Sequence, residues 1–444
     1  MKKTICFLLT AVMCIIFSVS AFAAVPSTYS EAYIVMDATT GQVLLEKNAH
    51  KQMYPASITK ILTTAIALDR GDMSDNWEMS YKATHSIEPG STHIALTEGE
   101  VVTVKDLVYT TMIESANDSA NGLAEYIAGD IDNFPAIMNE TAKSIGADNS
   151  NFKNAHGLPD PEHYTTCYDM ALITKWALGV EGFREVFGAE EYHIDPTNKQ
   201  PGERNFGTHN HMLVQSKYYY EGTKGGKLGW TEEAQHTLVE LVKRGDMELI
   251  VVVMKSQTQY LKYQDVIALC DYCFENFGVS TFSGALFERE PIPVVENGKV
   301  IGKVTLSTDD ISVNRPSTMA KADITCTVDA PSEYEKGTKI APNAVFTDKK
   351  DNVLAVVPLG YTYEDVKPVE PEVFAAENVL EDPDREASPL MKTIGTVLMW
   401  AIIIISALFI LLLIIRTYNI KKYKKLREEK LAKAKAAKRI KNRR

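Results

Sequence analysis

The sequence predicts a mixed α/β domain, a small all-β domain after it and a C-terminal transmembrane helix, with most of the chain outside the cytoplasm. Three observations support this prediction. Apolar segments lie near both ends of the 444-residue chain. Helical and β-type apolar patterns are mixed up to about residue 280. After about residue 285 the pattern changes to short β-prone runs bounded by Gly, Pro and Asn.

The two apolar segments differ in their length and in their flanking residues. Two lysines precede the apolar stretch Ile5–Phe17 and the small-residue pattern Ala21-Phe22-Ala23, an arrangement typical of a secretory signal peptide. Residues 1–23 are therefore assigned to a signal peptide. Residues 394–415 contain no charged residue, and they are long enough for a helix to cross the bilayer core.

The charge distribution predicts which side of the membrane each part occupies. Residues 416–444 contain 14 basic and two acidic residues, so the positive-inside rule places this tail in the cytoplasm. The tail therefore carries +12, and Lys2, Lys3 and Lys392 carry +3. Since the net charge of the chain is −11, about −26 is left for residues 24–391. An ectodomain this acidic argues against nucleic acid as a partner. The tail is interpreted as a topology anchor near anionic lipid, with a cytoplasmic partner as the alternative.

The N-terminal half of the ectodomain begins with a hairpin and a long helix. Two β-prone runs flank the Gly-containing turn at residues 37–41, which predicts a hairpin. Apolar residues recur at helical spacing from Ser57 onward. Two further helices are expected between Lys105 and Ala128, with Asn117 and Asp118 between them as turn or cap residues.

A second hairpin is expected farther along the chain. Residues 237–242 and 248–254 are apolar or β-branched, and Arg244-Gly245-Asp246 separates them. This tripeptide could serve adhesion, but Gly-Asp is ordinary turn chemistry at a hairpin tip. The composition then divides the chain as follows: signal peptide 1–23, mixed α/β domain 24–282, all-β domain 283–367, acidic Pro-rich stalk 368–393, transmembrane helix 394–415 and basic tail 416–444.

The ectodomain contains four cysteines, of which Cys270 and Cys273 form a CxxC. The surrounding residues 266–274 have the pattern of an amphipathic helix, and no second ligand pair is nearby. We therefore interpret the cysteines as buried thiols rather than as metal or redox groups.

The first candidate for chemistry is Ser57-Ile58-Thr59-Lys60, an SxxK at the start of the long helix. Residues three apart share a helix face, so the Lys60 amine can reach the Ser57 hydroxyl. A serine becomes a strong nucleophile only when a base removes its proton. A lysine can be that base if burial and a second positive charge lower its pKa. By itself SxxK is a common chance match.

Two further motifs follow in the chain. Glu114-Ser115-Ala116-Asn117 places a hydroxyl and an amide two residues apart between two helices, which would serve as a proton relay and a substrate-orienting group, or simply as a helix cap. Gly225-Gly226-Lys227-Leu228-Gly229-Trp230-Thr231 precedes a predicted inner strand; small residues there admit substrate backbone, although a Gly-rich strand entry would look the same.

The order of the three motifs resembles that of penicillin-binding proteins, in particular the low-molecular-mass D-alanyl-D-alanine carboxypeptidases. The resemblance covers about residues 28–280. It implies a serine β-lactamase/transpeptidase-like α/β catalytic domain and an all-β companion domain. Further matching stretches are Asp37–Leu44, Gly90-Ser91-Thr92, Thr103–Leu107, Asn154–Leu158, His163–Thr166 and Thr231–Ala234.

The resemblance also implies an acyl-enzyme mechanism on peptidoglycan stem peptides, with β-lactam antibiotics as acylating inhibitors. Water would release the acyl group, so neither a metal nor an organic cofactor is expected. His156 and His163 match the family without metal ligation. The implied roles are Ser57 as nucleophile, Lys60 as general base, Ser115 as proton relay, Asn117, Lys227, Gly229, Trp230 and Thr231 in substrate binding, and the backbone N–H groups of Ser57 and Trp230 as the oxyanion hole.

Two positions depart from the family pattern. Leu228 stands where the third motif has Thr or Ser, whose hydroxyl helps to bind the substrate's terminal carboxylate. Loss of a hydrogen bond to a charged group costs roughly 1.5 to 3 kcal/mol. Lys224, Thr231 or Lys262 are the candidates to replace that contact. Gln235 replaces a glycine of the family.

These departures leave alternatives to the carboxypeptidase hypothesis. A catalytically weak penicillin-binding or wall-binding scaffold would retain the fold with Leu228 in the third motif. A D,D-endopeptidase would use the same chemistry on cross-links. A secreted β-lactamase is disfavoured, because it gains nothing from a β domain, a stalk and a membrane span.

Overall fold

The computed structural model describes residues 24–366. The predicted signal peptide, stalk, transmembrane helix and basic tail lie outside the described residues. Within residues 24–366 no helix is both long and apolar enough to cross a membrane.

A five-stranded antiparallel sheet is the centre of the first part of the structure. Its strand order is β2-β1-β9-β8-β7. The N-terminal strands β1 and β2 therefore join the later strands through the pairing of β1 with β9. Two short antiparallel strand pairs, β3–β4 and β5–β6, lie outside this sheet. The strands are β1 Ala32–Asp37, β2 Val43–Lys47, β3 Asn76–Glu78, β4 Val101–Thr103, β5 Glu191–Ile194, β6 Arg204–Gly207, β7 Thr223–Thr231, β8 Gln235–Arg244 and β9 Met247–Ser256.

Helices cover both faces of the sheet. The N-terminal helix begins in a 3-10 turn at Ala56–Thr59. Thr103 and Asp106 form a capping box at the start of α3, which satisfies backbone donors that the first turn leaves free. The helices are α1 Lys60–Arg70, α2 Tyr81–His85, α3 Val104–Ile113, α4 Asn117–Ala128, α5 Phe134–Ser144, α6 Cys167–Ala177, α7 Phe183–Phe187 and α8 Leu261–Asn276.

The two faces of the sheet belong to different hydrophobic clusters because strand side chains alternate. On β8, Val239 and Leu241 face the cluster that contains α1 and α3. Leu238 and Val242 face the cluster that contains α8. Glu240 falls on the α8 face, between Leu238 and Val242.

The rest of the described chain is almost entirely β. It forms a two-stranded sheet β10-β13, a four-stranded sheet β15-β11-β12-β18 and a three-stranded sheet β14-β16-β17 around its own core. The strands are β10 Phe277–Phe282, β11 Ile292–Glu296, β12 Lys299–Leu306, β13 Ile311–Pro316, β14 Thr325–Asp329, β15 Tyr334–Glu335, β16 Asn343–Thr347, β17 Val353–Pro358 and β18 Tyr361–Asp365.

The structure confirms both predicted hairpins and the α/β class; it corrects one local prediction and adds a strand to another. Asn117 and Asp118 do not lie between two helices: they form the first turn of α4. The Gly-rich segment does precede an inner strand, β8, but residues 225–231 are themselves part of a strand, β7, which is the edge strand of the sheet. The sequence pattern did not predict strand β7, because four of the residues 225–231 are glycine or lysine, which are uncommon in strands.

Candidate active site

Ser57 lies in a strained turn at the start of the long helix. Ala56, just before it, has a φ of 52°, a conformation that costs a non-glycine residue about 1 to 3 kcal/mol. The Thr237 hydroxyl on β8 donates a 2.9 Å hydrogen bond to the Pro55 carbonyl. The sheet therefore holds the turn that presents Ser57.

Lys60 is completely buried and connects three parts of the chain. Its Nζ lies 2.9 Å from Ser57 Oγ, 2.7 Å from Asn117 Oδ1 and 2.8 Å from the His156 carbonyl oxygen. A neutral amine has two N–H donors and one lone pair. If the amide and the carbonyl accept its two protons, the lone pair is left to accept the proton of Ser57.

The surroundings of Lys60 favour this neutral form. Burial holds the pKa of Lys60 well below its usual value, and the charge of Lys227 lowers it further, while Asp118 opposes the shift. Both causes disfavour an ammonium ion. Lys60 is therefore suited to act as a base near neutral pH.

The loop between α3 and α4 brings the second motif to the same place. Ser115 has a φ of 63°, so the chain turns sharply before Asn117. The Asn117 N–H donates a 2.9 Å bond to the Thr92 carbonyl. Next to it, the Asp118 carboxylate accepts bonds from the backbone N–H groups of Ile94 and Leu96. These bonds fix the segment at residues 92–96 against the site.

The edge strand β7 runs alongside Ser57. A Cβ atom at Gly229 would lie 2.8 Å from the Ser57 backbone nitrogen and 2.4 Å from Thr237 Oγ1. Only glycine therefore allows this close approach. Lys227 is almost fully buried two residues earlier on the same strand.

Two clefts open on either side of Ser57. The first has a volume of about 610 Å³ and is lined by Ser57, Asn117, Trp230 and Thr231, among others. The second, of about 510 Å³, is lined by Ser57, Ser115, Lys227, Leu228, Gly229, Trp230 and Lys262, among others. Trp230, which is 62% exposed, lines both clefts.

The second cleft is rich in basic groups. Burial lowers the pKa of Lys227 to about 7, with a further contribution from Lys262, while Glu114 opposes the shift. Burial lowers the pKa of Lys262 to about 8, and Glu240 opposes that shift. His209, His211 and His236 also line the cleft. This side of Ser57 is therefore suited to an anionic group.

A family model described as D-alanyl-D-alanine carboxypeptidase (peptidase S11) matches residues 20–258. The chain belongs to this family. The match includes all three motifs of the site.

Similar proteins agree with this assignment. The D-alanyl-D-alanine carboxypeptidase DacF of Bacillus subtilis is 33% identical over 290 residues, which cover 62% of this chain and 72% of the relative. DacC of Escherichia coli is 32% identical over 279 residues, covering 60% and 68%. The solved structure of penicillin binding protein 5 from Haemophilus influenzae has a TM-score of 0.61 and 25% identity, and the match covers 77% of this chain and 98% of that one.

The structure shows the surroundings of the two departures from the family's motifs. Leu228 is half-buried and packs against the cluster around α8. Among the three residues considered as replacements for its missing hydroxyl, Lys224 lines neither cleft, Thr231 lines the first and Lys262 lines the second, beside Lys227. Gln235 has a φ of 53°, which explains a glycine in the family and makes glutamine a strained replacement.

The two histidines of the Asn154–Leu158 and His163–Thr166 stretches support the site from behind. His163 Nε2 lies 3.1 Å from Thr59 Oγ1, and the Lys153 N–H donates to His163 Nδ1 at 3.2 Å. His156 contributes its carbonyl to Lys60. Burial lowers the pKa of His163 to about 4. Within residues 24–366 no group of three or more His, Cys, Asp or Glu side chains could hold a metal ion.

Sequence reasoning did not find two buried groups beside the basic cleft. Glu240 and Asn210 lie next to Gly226, one residue before Lys227. Neither belongs to a motif. The available signal was a glutamate at an inward position of an otherwise apolar β8, where a charged residue requires an explanation.

Proposed function

We propose that the chain is a serine D-Ala-D-Ala carboxypeptidase that removes the terminal D-alanine from peptidoglycan pentapeptide stems through an acyl-enzyme on Ser57. The observation that carries the proposal is the buried Lys60 amine, in hydrogen-bond contact with both Ser57 and Asn117. Membership of the D-alanyl-D-alanine carboxypeptidase family supplies the reaction class.

Acylation begins when Lys60 takes the Ser57 proton and Oγ attacks the carbonyl between the last two D-alanines. The N–H groups of Ser57 and Trp230 stabilise the developing oxyanion. Ser115 relays a proton to the departing D-alanine nitrogen as the C–N bond breaks. Water then attacks the ester with Lys60 as base, which frees Ser57 and the shortened peptide. β-Lactams acylate the same serine.

The two clefts orient the substrate. We place the stem peptide in the first cleft, with Asn117 holding the amide of the acyl part and Thr231 at its border. The departing D-alanine occupies the second cleft, where Lys227 and Lys262 meet its carboxylate. This orientation follows the charge, because the second cleft contains both buried lysines.

The chain is further proposed to be a single-pass membrane protein with its catalytic part outside the cytoplasm. The support is in the sequence: an uncharged span at 394–415, the basic tail after it and the signal-like N-terminus. The acidic stalk at 368–393 would separate the enzyme from the bilayer. This position would place the site within reach of the cell wall.

The function is tested by D-alanine release from a pentapeptide ending in D-Ala-D-Ala, using the full-length chain in detergent. We expect release by the wild type and none above background for Ser57→Ala, because the nucleophile is removed. Ser74→Ala is the matched control, since that exposed hydroxyl donates a hydrogen bond to Asp72 and lines neither cleft beside Ser57. A folded wild type that releases no D-alanine and is not labelled by a fluorescent penicillin would contradict the proposal.

A further inference from the structure

A third cavity, the side pocket, adjoins the first cleft. It has a volume of about 320 Å³ and shares Tyr54, Pro161 and Glu233 with the first cleft. None of its lining residues lines the second cleft, and Ser57 lines both clefts but not the side pocket. The three cavities therefore follow one another: the second cleft, then Ser57, then the first cleft, then the side pocket.

Backbone contacts of the fold hold the walls of the side pocket. Met53 and Ala234 line it and are buried. Met53 and Thr165 exchange backbone hydrogen bonds of 2.8 and 2.9 Å. Ala234 lies in the turn between β7 and β8, where its N–H donates a 3.0 Å bond to Thr231 Oγ1. A ligand would therefore meet a preformed surface, as is usual for small-molecule sites.

The side pocket contains an ion-pair cluster with an excess of positive charge. Glu31, just before β1, pairs with both Lys51 and Lys255, and Lys255 Nζ lies 3.0 Å from Glu31 Oε2. Hydrogen bonds from the two lysines lower the pKa of Glu31, so its carboxylate is ionised at neutral pH. One carboxylate then faces two ammonium groups, which leaves one positive charge without compensation.

Glu233 supplies the opposite charge where the side pocket meets the first cleft. It is exposed and lines both cavities. Within residues 24–366 it forms no ion pair. The side pocket therefore offers an unpaired carboxylate and an excess ammonium group, a combination that complements a zwitterionic ligand.

We propose that the side pocket binds the side chain of the third residue of the stem peptide and selects meso-diaminopimelate there, with Glu233 contacting its amine and Lys51 and Lys255 contacting its carboxylate. This inference rests on the proposed function, because that function places the stem peptide in the first cleft. The third residue directly precedes the two D-alanines, so the order of the cavities matches the order of the substrate residues.

The reach and the charge of this side chain fit the side pocket. The side chain of meso-diaminopimelate extends roughly 5 Å beyond the peptide backbone, so it enters an adjoining cavity while the backbone stays in the cleft. It ends in an amine and a carboxylate on one carbon. L-Lysine, the other common diamino acid of stem peptides, ends in the amine alone. It would meet Glu233 and leave the excess positive charge of the lysine pair unmatched.

The test compares three D-Ala-D-Ala pentapeptides on the full-length chain that differ only in their third residue: meso-diaminopimelate, L-lysine or norleucine. Norleucine retains the apolar part of lysine without the amine, and any contact with the second residue is the same in all three. We expect kcat/KM to fall in that order by about three- to fivefold at each step, because partly exposed ion pairs contribute up to about this factor. Equal values for the three peptides would overturn the inference.

Two substitutions assign the preference to its two charges. Glu233→Gln is expected to abolish the preference for L-lysine over norleucine. Lys255→Gln is expected to abolish most of the preference for meso-diaminopimelate over L-lysine, because Glu31 then neutralises the one remaining lysine. If Lys255→Gln does not fold, Lys51→Gln removes the same charge from the pair and is expected to have the same effect.

Each substitution has a control with the same change of charge. Glu232→Gln is the control for Glu233→Gln, since Glu232 lines the first cleft but not the side pocket. Lys243→Gln is the control for Lys255→Gln, since Lys243 is exposed and lines none of the three cavities. Both controls are expected to retain the wild-type order of the three peptides. Controls that change this order as much as the side-pocket variants do would overturn the inference.

A binding measurement separates this inference from the proposed function. Tetrapeptides that end in a single D-alanine, with meso-diaminopimelate or L-lysine at the third position, are titrated onto Ser57→Ala by ligand-observed NMR. We expect the same preference for meso-diaminopimelate as in turnover. If the wild type releases no D-alanine while this preference is present, the proposed function fails and the side pocket retains its assignment. If D-alanine is released and neither measurement shows the preference, the assignment of the side pocket fails and the proposed function stands.

Discussion

Lys60 illustrates how one residue obtains its chemistry from distant parts of the chain. Its neighbours include Asn117 from α4 and the His156 carbonyl from a loop. Burial and Lys227 lower its pKa together. An isolated SxxK on an exposed helix would have the same spacing and none of these effects. The motif therefore shows that the Lys60 amine can reach the Ser57 hydroxyl, whereas the fold lowers the pKa of Lys60.

The contribution of Lys227 to this basicity is open to a direct test with Lys227→Gln. Without the neighbouring cation, protonated Lys60 is less disfavoured and the pKa of Lys60 rises. A protonated Lys60 cannot accept the Ser57 proton. As the pH falls, the acylation rate of the variant should therefore begin to decrease at a higher pH than that of the wild type. We expect the rate of benzylpenicillin acylation at pH 6 to fall about tenfold more than the rate at pH 9, where Lys227 is already neutral.

Lys227→Arg is the control for this prediction, because it keeps the positive charge that lowers the pKa of Lys60. The low-pH side of its acylation rate profile should remain close to that of the wild type, although the geometry of the arginine side chain differs. A rate for Lys227→Gln that is reduced equally at pH 6 and pH 9 would mean that the charge of Lys227 does not lower the pKa of Lys60.

The sequence was most informative at the residue scale where the interacting residues are close in the chain. Ser57 and Lys60 are three positions apart, and helical geometry alone brings them together. Lys60 and Asn117 are on different elements, and their contact depends on how α4 packs against α1. No local pattern contains that information.

At the scale of elements, the edge strand β7 was the feature that the sequence pattern described least well. Glycine and lysine weaken a strand prediction, yet here they have separate tasks. Gly229 allows the approach to Ser57, Gly226 accommodates Glu240, and Lys227 is buried beside the cleft. Two of the residues that make β7 look unlike a strand, Lys227 and Gly229, thus line the second cleft beside Ser57.

Gly229→Ala tests the close approach of β7 to the nucleophile. The added methyl group would lie 2.8 Å from the Ser57 nitrogen, so β7 must move away from the turn that contains Ser57. The proposed oxyanion hole would then lose its alignment, and removal of one such donor lowers kcat by about 10²- to 10³-fold. We expect a loss of this size in D-alanine release. The fold should be retained, which circular dichroism checks.

Gly278→Ala is the matched control, because a Cβ atom there meets nothing within 4 Å. It should retain wild-type activity. Retention of kcat by Gly229→Ala would show that the geometry of β7 tolerates displacement and that the oxyanion donors lie elsewhere.

At the scale of the whole molecule, a buried polar contact joins the five-stranded sheet to the β-rich part. The Gln42 side chain and the Asn314 backbone exchange hydrogen bonds of 2.8 and 2.9 Å, and the Asn314 amide donates to Asp37 at 2.6 Å. The turn at residues 37–41 was predicted from its composition. Its contact with β13 was not, because nothing in a turn sequence specifies a partner more than 270 residues away.

The last prediction concerns the membrane topology of the full chain. If residues 394–415 are the only anchor after signal cleavage, a chain ending at Met391 should be released into the medium, while the full chain stays in the membrane fraction. Its specific D-alanine release should match that of the full chain, because the site lies entirely within residues 24–366.

In the full chain, an epitope after Arg444 should resist protease added to intact cells and become sensitive once the membrane is opened, because the basic tail favours the cytoplasmic side. Replacing Ile404 and Leu411 together by lysine should release the protein as truncation does, since each charge at the centre of a span costs about 2.5 to 3.5 kcal/mol. A truncated chain that remains in the membrane fraction, or an epitope digested on intact cells, would contradict this topology and require a second attachment to the membrane or the opposite orientation.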